Sequence, residues 1–159
     1  MNIGFLGLGK LGLPVALAVE SKGHKVFGYD VSRKVENFVK LKKIPYKEVW
    51  ANNLLKKSKL QILNLAELVK KSDIIFVPIQ TPHSEEYEGI SKIPNTRKDF
   101  DYTFLKKGIS DISKEIKKQK KKTVVIIIST VLPGTINREI KPLLNNYVKL
   151  CYNPFFIAM

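Results

Sequence analysis

The chain is poor in several residues that would point to particular chemistries. Its 159 residues include one cysteine, one tryptophan, two histidines and three arginines, Arg33, Arg97 and Arg138. The single thiol, Cys151, excludes an intramolecular disulfide and leaves no set of cysteines for a zinc cluster. No run of about 18 apolar residues occurs, so no membrane-spanning helix is expected. No basic segment or cleavage site precedes the strand-like Asn2–Leu6, so no signal peptide is expected. A cytoplasmic protein without a metal site is the expectation. With 44% hydrophobic residues, one domain over residues 1–159 can bury roughly two thirds of its unfolded surface without a covalent staple.

Charge of one sign is plentiful. Twenty-eight basic residues against fourteen acidic give a formal charge of +14. That balance invites a nucleic-acid or acidic-membrane reading. Arginine, whose fork reads phosphates and guanine edges, is scarce, and the lysines are dispersed along the whole chain. They read as solvated surface, with no nucleic-acid or membrane partner expected. The low-complexity patch Lys117–Lys122 falls at the end of a predicted helix, where positive charge suits the negative end of the dipole.

The apolar pattern alternates between strand and helix. Strands are predicted at Asn2–Leu6, Lys25–Tyr29, Leu60–Leu63, Ile74–Pro78, Thr123–Ser129 and Tyr147–Tyr152. Between them fall helices from Leu11 to Glu20 with Gly23 as a stop, and from a Ser32 cap to about Leu41. Others are predicted near Lys47–Lys57, anchored by Val49, Trp50, Leu54 and Leu55; after an Asn64 cap; over Tyr102–Lys118; and from Thr135 to Asn145. Cys151 falls on a strand predicted to be buried. This rhythm implies right-handed crossovers and a doubly wound parallel sheet of about six strands, order 3-2-1-4-5-6, the Rossmann arrangement. The loop from Gln80 to Asp99, with Pro82, Gly89 and Pro94, leaves the ligand side of that sheet. Its acids Glu85, Glu86 and Glu88 are adjacent rather than at ligand spacing and read as solvated, as does His83. His24 reads as structural.

Gly7-Leu8-Gly9-Lys10-Leu11-Gly12 is G-x-G-x-x-G, preceded by a strand, followed by a helix, and answered by Asp30 at the end of the second strand. Gly7 permits the tight turn, Gly9 lets a pyrophosphate approach the backbone, and Gly12 lets helix pack on strand. The helix N-terminus offers unpaired N–H groups to phosphate. Asp30 can accept the adenosine ribose hydroxyls and repels a 2′-phosphate, which favours NAD over NADP. Arg33 and Lys34 stand where a basic residue could hold that phosphate.

Further segments resemble one family. Ile3 to Pro14 is similar to the glycine loop and Leu-Pro step of the UDP-glucose/GDP-mannose dehydrogenases. Gly23–Asp30 resembles that family's second strand, and Ser72–Val77 with Thr81-Pro82 its fourth strand and Thr-Pro step. Asp99–Tyr102, Ser129–Thr135 and Tyr152-Asn153-Pro154 resemble the next helix start, the Ser-Thr-Val-x-x-Gly-Thr segment and the start of Asn-Pro-Glu-Phe. The resemblance implies the N-terminal NAD-binding domain of an enzyme that oxidises a nucleotide-sugar C6 alcohol to a carboxylate in two NAD-dependent steps through a cysteine thioester. It places Gly7, Gly9, Lys10, Leu11, Gly12, Asp30 and Lys34 at cofactor positions. It also sets Thr81 and Thr130 near the nicotinamide, Thr130 orienting the catalytic water or reacting oxygen. The parent is implied to be a homodimer.

Two departures stand out. Phe155 replaces the family glutamate after Asn-Pro, and Met159 sits near a second glutamate position. The middle and nucleotide-sugar domains, with the catalytic cysteine, have no counterpart; Cys151 does not match that cysteine. The apolar run 155–159 suggests a fragment of a longer enzyme, expected to bind NAD without turnover. A stand-alone NAD-sensing module and a β-hydroxyacid dehydrogenase cofactor domain are the alternatives.

Overall fold

The structure, a computed structural model, describes residues 1–88, 90, 92 and 94–155; Gly89, Met159 and the apolar run beyond Phe155 lie outside the described residues. Six strands form one parallel sheet in the order β3-β2-β1-β4-β5-β6. They are β1 (Asn2–Leu6), β2 (Lys25–Tyr29), β3 (Gln61–Ile62), β4 (Ile74–Val77), β5 (Thr123–Ile127) and β6 (Val148–Tyr152). The predicted order holds. Each strand is a residue or two shorter than, or equal to, its apolar run, because pairing stops where the chain turns toward the next helix.

Helices cover both faces. α1 (Gly12–Ser21), α2 (Arg33–Lys40) and α3 (Ala51–Lys57) pack with Ile3, Phe5, Leu8 and Val26 on one side. α4 (Leu65–Lys71) and α5 (Thr103–Gln119) pack with Leu6, Ile75, Val77 and Val125 on the other. In α5 the apolar residues Leu105, Ile109, Ile112 and Ile116 recur at helical spacing and all are buried. Each such side chain taken from water stabilises the fold by about 1.5–3 kcal/mol. Phe5 stacks on Phe76 with ring centroids 5.3 Å apart, locking β1 beside β4.

The helix ends follow local chemistry. Asn64 Oδ1 accepts the Glu67 N–H at 2.9 Å, the expected cap of α4. Gly23 ends α1 with a φ of 88°. The Lys117–Lys122 patch ends α5 with Lys120 in the left-handed region. Lys121 then turns back: its ammonium donates to the carbonyls of Val69 and Lys70, both at 2.9 Å, and of Ser72 at 2.6 Å. It thereby closes the carboxyl end of α4.

Four expectations need correction. Val49 and Trp50 do not anchor a helix over 47–57. They are 73% and 75% exposed, Trp50 is left-handed at φ 68°, and α3 begins only at Ala51, because the helical pair Ala51 and Leu55 already fills the space against α1. The segment 135–145 is not a plain helix. A wide π-helical turn, Ile136–Ile140, passes into a 3-10 turn, Lys141–Leu143, at Pro142, which has no N–H to continue the ladder. Ser32 occupies the α2 N-cap position but makes no side-chain cap bond. Cys151 is exposed, not buried: β6 is the edge strand, its Val148 and Leu150 turn toward the core, and no described helix covers its other face.

Candidate cofactor-binding site

The chain runs from β1 through α1 to β2 and β3 on one side, then returns to β4 on the other. The carboxyl end of β1 is therefore the switch point of the sheet, where a crevice opens in folds of this kind. The glycine loop lies there. Gly7 has a φ of 110°, a conformation that glycine adopts without strain, and its N–H donates to the Tyr29 carbonyl at 2.8 Å. A Cβ on Gly12 would collide with the Gly7 carbonyl oxygen and press on Pro78 Cγ. A Cβ on Gly9 would meet nothing within 4 Å. The three glycines thus do separate jobs: one turns, one packs, and one stands before open space.

Asp30 joins this loop to β2. Its Oδ2 accepts the Leu8 N–H at 2.7 Å and its Oδ1 accepts the Ser32 N–H at 2.8 Å. The carboxylate is half-buried and retains lone pairs beyond those two bonds. The sequence offers Ser32 only as a helix cap, and neither it nor Leu8 as a partner of Asp30. The Asp30–Ser32 bond is an Asx turn, whose signal is an aspartate two residues before a helix cap; the long-range Leu8 bond has no local signal. Lys10 and Lys34 are exposed on either side of the loop, and Leu11 is half-buried at the start of α1. The Leu13 N–H donates to the Gly9 carbonyl at 3.1 Å, so the first helical bond begins behind the loop and the N-terminus of α1 faces the crevice.

The segments leaving β4 and β5 form the other wall. Thr81 Oγ1 donates to the Thr130 carbonyl at 2.6 Å, tying the two loops together. Ser129 Oγ donates to the carbonyls of Val77 and Ile79, at 3.1 and 2.5 Å. Thr130 is half-buried, and its hydroxyl has no protein partner among the described residues. Thr81 and Thr130 are therefore brought together, although the Thr81 hydroxyl is already committed to backbone. Phe155 is half-buried and donates its N–H to the Ile128 carbonyl at 3.2 Å.

Tyr102 is the residue the sequence reading undervalued. Its buried hydroxyl donates to Asp99 Oδ1 at 2.6 Å and accepts from the Leu132 N–H at 3.1 Å and Thr135 Oγ1 at 3.3 Å. Burial, then the Asp99 bond, hold its phenol above the ordinary value of 10.0. Arg138 reaches Asp99 at 2.5 Å and Glu139 at 3.1 Å, and Lys106 meets Glu139 at 2.6 Å. These cations hold Glu139 below the usual carboxylate range, Lys106 first. The network pins the end of the 80–99 loop to the segment after β5. In that loop Glu85, Glu86, Glu88 and His83 are exposed. His24 is half-buried, with its Nδ1 buried and unpartnered.

A doubly wound sheet with this glycine turn, and an acid at the end of its second strand, defines a dinucleotide-binding domain of the oxidoreductase type. The chain matches the UDP-glucose/GDP-mannose dehydrogenase family, NAD binding domain, over residues 1–158, and it belongs to that family. It is 33% identical to Protein CapL of Staphylococcus aureus over 161 residues, covering 99% of this chain and 34% of that protein. It is 26% identical to GDP-mannose 6-dehydrogenase of Pseudomonas aeruginosa over 151 residues, covering 92% of this chain and 32% of the enzyme. The crystal structure of a ternary complex of the Pseudomonas aeruginosa GDP-mannose dehydrogenase superposes with a TM-score of 0.85 at 26% identity, over 99% of this chain and 37% of that one. The chain thus spans about a third of the length of these relatives.

Proposed function

We propose that this chain is the cofactor-binding domain of a nucleotide-sugar 6-dehydrogenase, and that it binds NAD at the switch point without oxidising a sugar by itself. The observation that carries the reading is the open space before Gly9 beside the Asp30 carboxylate. Gly7, Gly9 and Gly12 shape the loop, and the N–H groups around Lys10 and Leu11 meet the pyrophosphate. Asp30 receives the ribose hydroxyls on its remaining lone pairs, while Lys34 lies at the adenosine side. When bound, NAD supplies the hydride acceptor. Thr81 holds the Thr130 backbone in place, and the free Thr130 hydroxyl orients the reacting oxygen at the nicotinamide end. Cys151, on the exposed face of an edge strand, is not the nucleophile of the second oxidation. That group and the nucleotide-sugar pocket belong to the remaining two thirds of a parent of the relatives' length, which acts in the cytoplasm as a homodimer.

Calorimetry of the 159-residue chain with NAD, NADP and UDP-glucose tests this reading. NAD should bind tighter than NADP, and Asp30→Ala should weaken NAD by about tenfold or more, since it removes a charged acceptor worth roughly 1.5–3 kcal/mol. UDP-glucose alone should give no binding heat. Tighter NADP than NAD, or turnover of UDP-glucose by these residues alone, would overturn the assignment.

A further inference from the structure

The lysines scattered along the sequence are gathered by the topology. In a parallel sheet with crossover helices, each helix ends and the following strand begins at one common edge. Four lysine-bearing helix-to-strand turns line that edge here, at residues 22–25, 56–60, 70–73 and 117–122, beside the lysine-free turn 144–147 that leads into β6. Close contacts hold them side by side. The Lys59 N–H donates to Glu20 Oε1 at 2.7 Å, the Lys25 N–H to the Met1 carbonyl at 3.1 Å, and the Asp73 N–H to the Asn2 carbonyl at 2.8 Å. Lys121 reaches the Ser72 carbonyl, and the Thr123 N–H donates to the Tyr147 carbonyl at 3.0 Å.

Twelve of the twenty-five lysines fall in these four turns. Two are engaged: Lys121 caps α4, and the Lys71 ammonium lies 5.6 Å from the centre of the Phe27 ring. The other ten are exposed and none of them makes an ion pair among the described residues, where the paired cations are Lys40, Lys98, Lys106, Lys107 and Arg138. Three acids lie in or beside the turns: Glu20 and Asp73 accept backbone N–H groups, and Glu115 accepts the Gln119 side-chain amide at 2.8 Å. Six strands spaced about 4.8 Å apart make this edge roughly 24 Å long. It presents a broad set of mobile point charges, with the exposed Met1 at the head of central β1.

We propose that this lysine edge docks on an anionic lipid bilayer, with the cofactor end of the sheet facing away from it. The chemistry favours lipid over nucleic acid. No arginine lies at this edge to fork a phosphate or a guanine edge. Among the described residues the large exposed aromatics, Trp50, Phe104 and Tyr152, all lie toward the opposite end of their elements, and Tyr147 at this edge is half-buried against the core, so none of them offers a fully exposed ring here for base stacking. A flat array of lysines is the pattern that anionic headgroups attract without specific pockets, each lysine adding about fivefold to partitioning.

Sedimentation of the whole chain with vesicles tests this, using phosphatidylglycerol with phosphatidylcholine against phosphatidylcholine alone in about 0.1 M salt. Binding should need the anionic lipid and vanish at about 0.5 M salt, where the screening length shrinks to a few ångströms. K57E/K70E/K118E should weaken it by about 100-fold or more, with NAD binding unchanged. K47E/K92E/R97E changes the net charge equally at the other end and should cost less than about tenfold. Equal losses in the two triple variants would reduce the effect to net charge and overturn the proposal. So would tighter binding to a DNA duplex than to the vesicles at the same salt, or no vesicle binding at all.

Discussion

Asp30 and Lys121 do matching work at opposite ends of the sheet. Asp30 collects the N–H groups of Leu8 and Ser32 where β1 and β2 end. Lys121 collects the carbonyls of Val69, Lys70 and Ser72 where α4 ends and β4 is about to begin. Each side chain carries the charge that the exposed backbone groups ask for. The outcome differs because the carboxyl end keeps donors and a carboxylate in reserve around an open Gly9, whereas the amino end satisfies its backbone and leaves unpaired cations outside. A crevice that must receive a polar ligand needs unspent hydrogen-bonding capacity. The opposite edge has closed helix ends and leaves its cations free for a charged partner.

The sharpest way to break this comparison is within the glycine loop itself. Gly12→Ala places a methyl against the Gly7 carbonyl and Pro78, where backbone cannot yield cheaply. It should destabilise the chain by about 1–3 kcal/mol or more, as overpacking does, and lower the denaturant midpoint. Gly9→Ala meets nothing in the protein and should leave that midpoint within about 0.5 kcal/mol, as open surface changes do. Yet it should weaken NAD by tenfold or more, in the calorimeter, by filling the space a pyrophosphate needs. If both substitutions cost stability alike, the open space before Gly9 is not a ligand space.

At the other end, Lys121→Met keeps most of the side-chain volume and removes the ammonium from three carbonyls. A loss of about 1 kcal/mol is expected, the size of a helix-end cap or dipole contribution. Lys118→Met, exposed and unpaired on the same turn, should change stability by less than about 0.5 kcal/mol. Urea denaturation of the two variants separates a lysine that closes a helix from one whose charge is left free at the surface. Equal losses would erase that distinction.

How much of this was legible follows from the same contrast. The strand order could be read because β1, β4 and β5 are short apolar runs joined by helix-length segments, and crossovers have one hand. The glycine loop and Asp30 were legible because each of their residue types has a local reason to be there. Trp50 misled because a large apolar residue normally marks a core, and here the pair Ala51 and Leu55 had already filled it. Cys151 misled because an apolar strand was taken to be covered on both faces, when β6 is an edge. The Leu8 bond to Asp30 spans 22 residues, and the lysine edge joins turns from four parts of the chain. Neither exists until the sheet forms, so neither has a signature in sequence order.

Tyr102 offers the finest test, because it is a closed spot inside the open end. Its hydroxyl bonds to Asp99, Leu132 and Thr135 hold the two loops of the crevice wall together. Tyr102→Phe leaves the ring in place and strands the Leu132 N–H and Thr135 hydroxyl, so a loss of about 1 kcal/mol is expected near neutral pH. The pH dependence has a definite sign. Burial and Asp99 raise the folded phenol above 10.0, so the folded state holds this proton longer than the unfolded chain does. The contribution is full below pH 10 and is lost as pH rises through the folded value. Wild-type stability should therefore fall more steeply than that of Tyr102→Phe as pH rises above about 10, and the gap between them should narrow. Urea midpoints across that range decide it: a constant gap would mean that the ring alone, and not the shared proton, joins the two loops.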